Sequence, residues 1–134
     1  MTTIESRIGK INCSDEKVYN LLSKFSNFNN FIPHEKVKNY VATEDTCNFT
    51  IDKIGDFGMR IIERKPLSLI KIMNDEKVPF NFNFWIQLKK VAENDIRVRL
   101  TIKAELNAML KMVAKKPLTN FVNTLVDKLE EIRI

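Results

Sequence analysis

The spacing of apolar and polar residues changes three times along this chain, and each spacing predicts a different kind of element. Apolar and polar side chains alternate over residues 4–11, which predicts a first half-buried strand. Over residues 18–25 the apolar residues fall three and four positions apart, after Ser14 and two carboxylates, which is typical of a capped amphipathic helix. The same spacing over residues 28–32 ends at Pro33, so we expect a second, shorter helix.

A period of two returns between residues 37 and 106 and predicts six further strands. Their expected bounds are 37–43, 46–52, 57–64, 67–74, 81–91 and 95–106. The last two strands both carry their apolar residues at even positions, so facing residues must add up to an even number. Leu88 is therefore expected opposite Val98. A three-residue loop at 92–94 fits this register, with Asn94 in the left-handed conformation that asparagine tolerates.

A long helix is predicted at the end of the chain, with Asn107 as its cap. Its apolar stripe consists of Leu110, Val113, Phe121, Leu125, Leu129 and Ile132, flanked by Leu118 and Val122. Pro117 lies inside the stripe, where it removes a backbone hydrogen bond and crowds the carbonyl of Val113. Two abutting helices are the alternative, but the stripe keeps its phase across the proline, so we expect one kinked helix. Because no repeat or linker occurs, residues 1–134 are expected to form a single domain.

Several segments carry a family resemblance. Residues 14–19 (Ser-Asp-Glu-Lys-Val-Tyr) open the first helix, and residues 28–33 (Phe-Asn-Asn-Phe-Ile-Pro) form a short second helix ending in proline. Residues 104–112, then Lys-Pro-Leu at 116–118 and Phe-Val-Asn at 121–123, cover the last strand and the start of the long helix. With the order of elements, these segments resemble the START-like superfamily, also called SRPBCC or Bet v 1-like. They are similar to its small bacterial members, often labelled polyketide cyclase/dehydrase or lipid transport.

The resemblance implies an α+β helix-grip fold. In it a curved antiparallel seven-stranded sheet, in the order β-α-α-β-β-β-β-β-β-α, wraps round the long C-terminal helix. The periodicity agrees, because the apolar face of six strands has little besides that helix to pack against.

The resemblance also implies a cavity between the sheet and the long helix. The candidate ligand-binding residues are Phe49, Met59, Ile61, Phe84, Ile86, Leu100, Met109, Met112, Phe121 and Leu125. Flexible thioethers such as those of Met59, Met109 and Met112 suit an adaptable apolar pocket. The alternative is an ordinary core, in which the same side chains fill the space.

Catalytic equipment is sparse in this sequence. Glu63 shares its parity with Met59, so it is a candidate acid or base inside the cavity, although a rim ion pair beside Lys65 also fits. His34 is the single histidine, and no neighbour in sequence orients it as a base. Tyr40 is placed by its neighbours on the face away from the core. Because nucleophile triads and dinucleotide fingerprints are missing from the sequence, enzymatic activity is uncertain and a non-enzymatic role is favoured.

Composition and charge exclude some function classes and suggest others. The chain is 44% hydrophobic and 29% charged, which excludes a disordered tail or a disulfide scaffold. A formal net charge of +5 raises the question of nucleic acid, and the aromatic Trp85 with Arg97, Arg99 and Lys103 on the outer sheet face could stack a base and hold phosphates. A solvated basic face explains the same residues more simply, so we expect no nucleic-acid partner.

A second concentration of charge lies near the start of the long helix. Lys111, Lys115 and Lys116 accompany Met109 and Met112 there, a composition suited to transient contact with an anionic membrane.

The two cysteines and the N-terminus indicate the compartment. Cys13 and Cys47 lack the spacing of a metal or redox motif, so both are expected to be free thiols in a reducing cytoplasm, and no metal or other cofactor is expected. Charge appears within the first five residues, and no apolar run is long enough for a signal peptide or a bilayer span.

These observations favour one function and leave two alternatives open. The first is binding or transport of a small hydrophobic ligand, such as a lipid, an isoprenoid or an aromatic polyketide, in the cavity. The second is a polyketide cyclase or dehydratase-like enzyme that uses Glu63 or His34. The third is a protein-interaction domain with a closed cavity, whose sheet binds a partner through Trp85.

Overall fold

The computed structural model describes residues 1–132. The strands and helices within them are β1 (Thr2–Glu5), β2 (Gly9–Ile11), α1 (Asp15–Leu22), a 3₁₀ helix (Phe25–Asn30), β3 (Val37–Ala42), β4 (Thr46–Ile51), β5 (Gly55–Lys65), β6 (Leu69–Asn74), β7 (Phe82–Ala92), β8 (Asp95–Ala104) and α2 (Ala108–Glu130).

One antiparallel sheet contains all of these strands, in the spatial order β1-β8-β7-β6-β5-β4-β3, and β2 pairs with β8 beyond β1. The sheet is curved and open, and α2 packs against its inner face. The predicted α+β helix-grip fold is therefore confirmed, with eight strands where seven were expected.

One first strand was expected, but the structure divides this segment into two strands, β1 and β2. Ser6 is buried between them and exchanges hydrogen bonds with Leu100, donating its backbone N–H at 2.8 Å and accepting at its hydroxyl oxygen at 2.9 Å. Beyond this point the buried residues move from even to odd positions, so that Gly9 is buried and Ile8 is 54% exposed. The alternation predicted over residues 4–11, which would bury Ile8 together with Ile4, therefore does not continue past Ser6.

The last hairpin has the predicted register. Leu88 lies opposite Val98, and Asn94 has a φ of +53°, in the left-handed region. The loop itself is shorter than expected, because Ala92 pairs with Asp95 and the extra residue enters as a bulge between Lys90 and Ala92. A bulge adds one unpaired residue to one strand, so the facing pairs on its other side keep their register.

The long helix α2 begins after Asn107, whose side-chain oxygen accepts the N–H of Leu110 at 2.8 Å. It runs without a break through Pro117, so the prediction of one helix is confirmed over two abutting ones. Val113 is 55% exposed and does not belong to the buried stripe, contrary to the prediction. The small side chain of Ala114 takes the inner position in that turn.

The core lies between the inner sheet face and α2, and α1 and the 3₁₀ helix close one end of it. Ser14 caps α1 as predicted, accepting the N–H of Lys17 at 3.3 Å. Burial of each core Leu, Ile or Phe side chain contributes about 1.5–3 kcal/mol relative to exposure. No helix within residues 1–132 is both long enough and apolar enough to cross a membrane.

Candidate functional site

The candidate site is an apolar cavity between the sheet and α2. Seven of the predicted ligand-binding residues line it: Phe49, Met59, Phe84, Ile86, Leu100, Phe121 and Leu125. Eight further residues complete its walls: Leu22, Phe28, Phe31, Ile32, Val37, Tyr40, Ile72 and Leu129. The aromatic rings of Phe28 and Phe31, in and just after the 3₁₀ helix, thus form one wall of the cavity. Their spacing in the sequence predicts a helix but does not indicate that they face the cavity.

The free space in this cavity is small. The main void measures about 30 Å³, and a second void of about 20 Å³ adjoins it toward Leu118. The first is room for about one water molecule, whereas ligand pockets commonly enclose about 300–1,000 Å³. Four side chains border both voids: Phe49, Met59, Phe84 and Phe121. In this conformation the side chains themselves fill the space between sheet and helix.

Tyr40 provides the one hydroxyl group in the cavity lining. Its position inside the sheet contradicts the prediction, because a bulge between Lys38 and Val41, with Asn39 at a φ of +56°, reverses the alternation along β3. Val41 is consequently 68% exposed. The Tyr40 hydroxyl donates to the backbone oxygen of Phe25 at 2.8 Å, and burial raises the pKa of the phenol far above its usual range. Tyr40 therefore remains a neutral donor that is already engaged.

Three of the predicted ligand-binding residues lie outside the cavity lining. Ile61 is half-buried and packs against the core without lining the cavity. Met109 and Met112 are 75% and 86% exposed on the first turns of α2, so the prediction that they border the cavity is wrong. Ala114 and Leu118 hold the inner positions of this part of the helix, which turns both methionines outward.

The two candidate catalytic residues also lie on the exterior. A bulge between Ile61 and Glu63 shifts the alternation in β5, and the Glu63 carboxylate is exposed, with the ammonium of Lys65 at 3.9 Å. His34 is exposed after the 3₁₀ helix, and its Nε2 lies 3.0 Å from the backbone oxygen of Asn29. Neither side chain reaches the cavity.

The outer face of the sheet carries the aromatic and basic residues predicted there. Trp85 is half-buried between two lysines, with the ammonium of Lys71 at 5.6 Å and that of Lys103 at 5.7 Å from the ring centroid. Both cations lie within the range of a cation–π interaction. Arg97 pairs with Asp95 and Arg99 with Glu5, at 2.9 Å and 3.4 Å. Much of this basic face is thus internally compensated.

The titratable groups of residues 1–132 form no cluster of three His, Cys, Asp or Glu side chains that could hold a metal ion. Cys13 and Cys47 are both buried free thiols.

The fold and the position of the cavity define the class of structure to which the chain belongs: it has the START-like helix-grip fold. Neither a protein-family model nor a curated protein sequence matches the chain.

Solved structures match it along nearly the whole chain. A START superfamily protein from Mycobacterium smegmatis is 12% identical with a TM-score of 0.70, covering 98% of this chain and 99% of its own. Norcoclaurine synthase from Thalictrum flavum is 11% identical with a TM-score of 0.72, covering 97% and 84%. The di-domain ARO/CYC BexL of the BE-7585A biosynthetic pathway is 13% identical with a TM-score of 0.74, covering 98% and 46%. At these identities the similarity establishes the fold.

Proposed function

We propose that this protein binds a small apolar molecule between its sheet and α2. The observation that supports this most directly is the lining, which is apolar throughout except for the already engaged hydroxyl of Tyr40. A molecule in this place would be held by shape and burial, because unpaired polar groups of its own would be costly to bury. Lipid-like, isoprenoid and aromatic molecules meet that requirement.

Binding requires the voids to open, and the packing offers a way to do so. Met59 borders both voids, and its unbranched side chain changes rotamer at low cost. Phe121 also borders both voids and lies on α2, so an outward shift of this helix would join and enlarge them. The proposed ligand thus selects a more open arrangement of the same side chains.

The structural neighbours support a small organic molecule as the ligand class. One is a synthase solved in complex with a transition-state analogue, and another is an ARO/CYC protein of a biosynthetic pathway. The exterior positions of Glu63 and His34 give no support to a cyclase-like reaction in this chain. Loss of a measured activity in Glu63→Gln or His34→Ala, with folding intact, would restore that alternative.

Native mass spectrometry of the purified protein tests the proposal, followed by extraction and identification of any bound molecule. We expect a complex with one apolar molecule per chain. Phe121 borders both voids, so the larger ring of Phe121→Trp should occupy part of their space. We expect this variant to lower the fraction of protein that carries the ligand at least about tenfold. Asn120→Trp, which adds the same ring at the exposed neighbouring position of α2, is the matched control and should retain the ligand.

A ligand-free mass that stays unchanged after incubation with fatty acids, isoprenoids and polycyclic aromatic compounds would overturn the proposal. So would equal loss of ligand in both tryptophan variants. If Phe121→Trp fails to fold, an upward shift of the melting temperature of the wild-type protein by an added apolar compound remains as a separate readout.

The small void volume favours a second function, protein interaction through the outer sheet face with a permanently closed cavity. Trp85, with its two lysines, would be the centre of that surface, since tryptophan is frequent among the residues that dominate binding energy. This alternative predicts association that depends on protein concentration and disappears in Trp85→Ala. If the Trp85→Ala variant binds an apolar ligand as well as the wild type does, the result would instead favour ligand binding in the cavity.

A further inference from the structure

The first two turns of α2 carry an apolar surface directed away from the core. Met109, Met112 and Val113 are spaced three and four residues apart, so they share one side of the helix. All three are more than half exposed. The buried residues of the same region, Ala114 and Leu118, lie on the other side of α2. These three apolar side chains thus stabilise neither the core nor the cavity.

Two lysines flank this apolar surface. Lys115 and Lys116 lie beside it, and residues 106–126 contain three lysines and no acidic residue. Lys116 follows Met109 by seven residues and Val113 by three, which places it on the same side of the helix. Lys115 follows Met112 by three residues, so it also borders the apolar side chains.

We propose that this face docks on an anionic lipid bilayer. The docking face consists of Met109, Met112, Val113, Lys115 and Lys116. Its apolar side chains would enter the interface between headgroups and acyl chains while the lysines contact anionic headgroups. No rearrangement of the core is needed, because the apolar side chains already project outward. The docking face acts independently of what the cavity holds.

A second copy of the chain fits this face poorly. Two copies joined through α2 would bring their lysines together, and the segment has no carboxylate to compensate them. Three apolar side chains also provide much less area than the roughly 1,600 Å² that a stable protein interface buries. A bilayer supplies both the apolar phase and the negative charge.

Co-sedimentation of the whole protein with vesicles tests the proposal. We expect binding to vesicles of mixed phosphatidylcholine and phosphatidylglycerol, weak binding to phosphatidylcholine alone, and loss at about 1 M salt, where the Debye length is about 3 Å. Replacing Lys115 and Lys116 together by glutamine should weaken binding on the order of 25-fold, since each lysine near an anionic surface contributes roughly fivefold. Met109→Ser with Met112→Ser should weaken it at least about tenfold.

The matched control replaces Lys71 and Lys103 of the outer sheet face by glutamine, which lowers the net charge equally and should leave vesicle binding nearly unchanged. Equal loss of binding in the two lysine-to-glutamine variants would overturn the proposal, because net charge alone would then explain binding. Equal binding to neutral vesicles, or none to anionic vesicles at low salt, would also overturn it. Light scattering that shows a dimer abolished by the double serine variant would assign the face to a second copy.

Discussion

Arg7 and Glu130 are separated by 123 residues in sequence and are joined by a hydrogen bond of 2.5 Å between Nη2 and Oε1. The same guanidinium pairs with Asp127, and the other carboxylate oxygen of Glu130 accepts the backbone N–H of Lys10 at 2.9 Å. The backbone N–H of Arg7 donates to the side-chain oxygen of Asn123 at 2.8 Å. The C-terminal half of α2 is therefore fastened to the segment around β2, whereas its first two turns are exposed.

This arrangement predicts a specific loss of stability in acid. The hydrogen bond from Arg7, together with that from the Lys10 backbone, holds the pKa of Glu130 below its usual value of about 4.5. The unfolded chain thus takes up a proton at this group before the folded chain does. The stabilising contribution is present above about pH 4.5 and is lost as the pH falls through the lowered, folded pKa.

Glu130→Gln should lower the free energy of unfolding by about 0.5–1 kcal/mol at neutral pH, the value of a partly exposed ion pair. The free energy of unfolding of this variant should also depend less on pH below about pH 4.5 than that of the wild type. Urea denaturation at neutral pH and at about pH 3 measures both effects. Glu131→Gln removes the same charge one residue later and is the control. An acid dependence in Glu130→Gln identical to that of the wild type would contradict the assignment.

Leu67 is strained in the turn between β5 and β6. It follows Pro66 and has a φ of +67°, and the N–H of Ser68 donates to the backbone oxygen of Lys65 at 3.1 Å. Proline followed by a residue of positive φ is typical of a type II turn, in which that position favours glycine. Leu67→Gly should raise the free energy of unfolding by about 0.5–1 kcal/mol. Leu67→Ala keeps the strain and should give no such gain, so equal stability of the two variants in urea denaturation would refute the prediction.

The sheet shows how far periodicity predicts structure and where it stops. The parity of the last two strands placed Leu88 opposite Val98, because one buried face fixes the register of a hairpin. One inserted residue reverses the alternation beyond it, and the apolar pattern does not mark that residue. The bulges near Asn39 and Ile62 therefore account for the wrong side assigned to Tyr40 and for the exposure of Glu63.

In the helices near the site, the observed burial differs from the prediction for another reason. The first two turns of α2 have apolar residues on both sides, so spacing alone does not identify the buried one. Ala114 decides it, because a small side chain allows close packing against the sheet and turns Met112 and Val113 outward. Phe28 and Phe31 were predicted as helical and apolar. Their place in the cavity wall follows from how the 3₁₀ helix packs, which local spacing does not encode.

Gly9 in β2 lies close to Val126 in α2, so substitutions at these two residues should have strongly coupled effects on stability. A Cβ atom at Gly9 would lie 2.4 Å from Cγ1 of Val126, well inside van der Waals contact. Gly9→Ala should therefore destabilise the protein by about 1–3 kcal/mol through overpacking. Val126→Ala alone leaves a void, yet in the Gly9→Ala background it removes the clash. A double-mutant cycle in urea should give a favourable coupling of at least about 1 kcal/mol, and additive effects would show that the backbone shifts instead.

Cys47 tests whether the interior beside Tyr40 is closed to solvent. The residue is buried, and burial raises the pKa of its thiol to about 12. Since the thiolate is the reactive form, a disulfide reagent at about pH 8 should modify Cys47 on the order of 1,000-fold more slowly in the folded than in the unfolded protein. Cys13→Ala leaves Cys47 as the single thiol for this measurement. Labelling that accelerates in proportion to the unfolded fraction in urea would match a closed interior. Rapid labelling of the folded protein would instead show that β3 and β4 open locally, which would give a ligand a route to the cavity that bypasses α2.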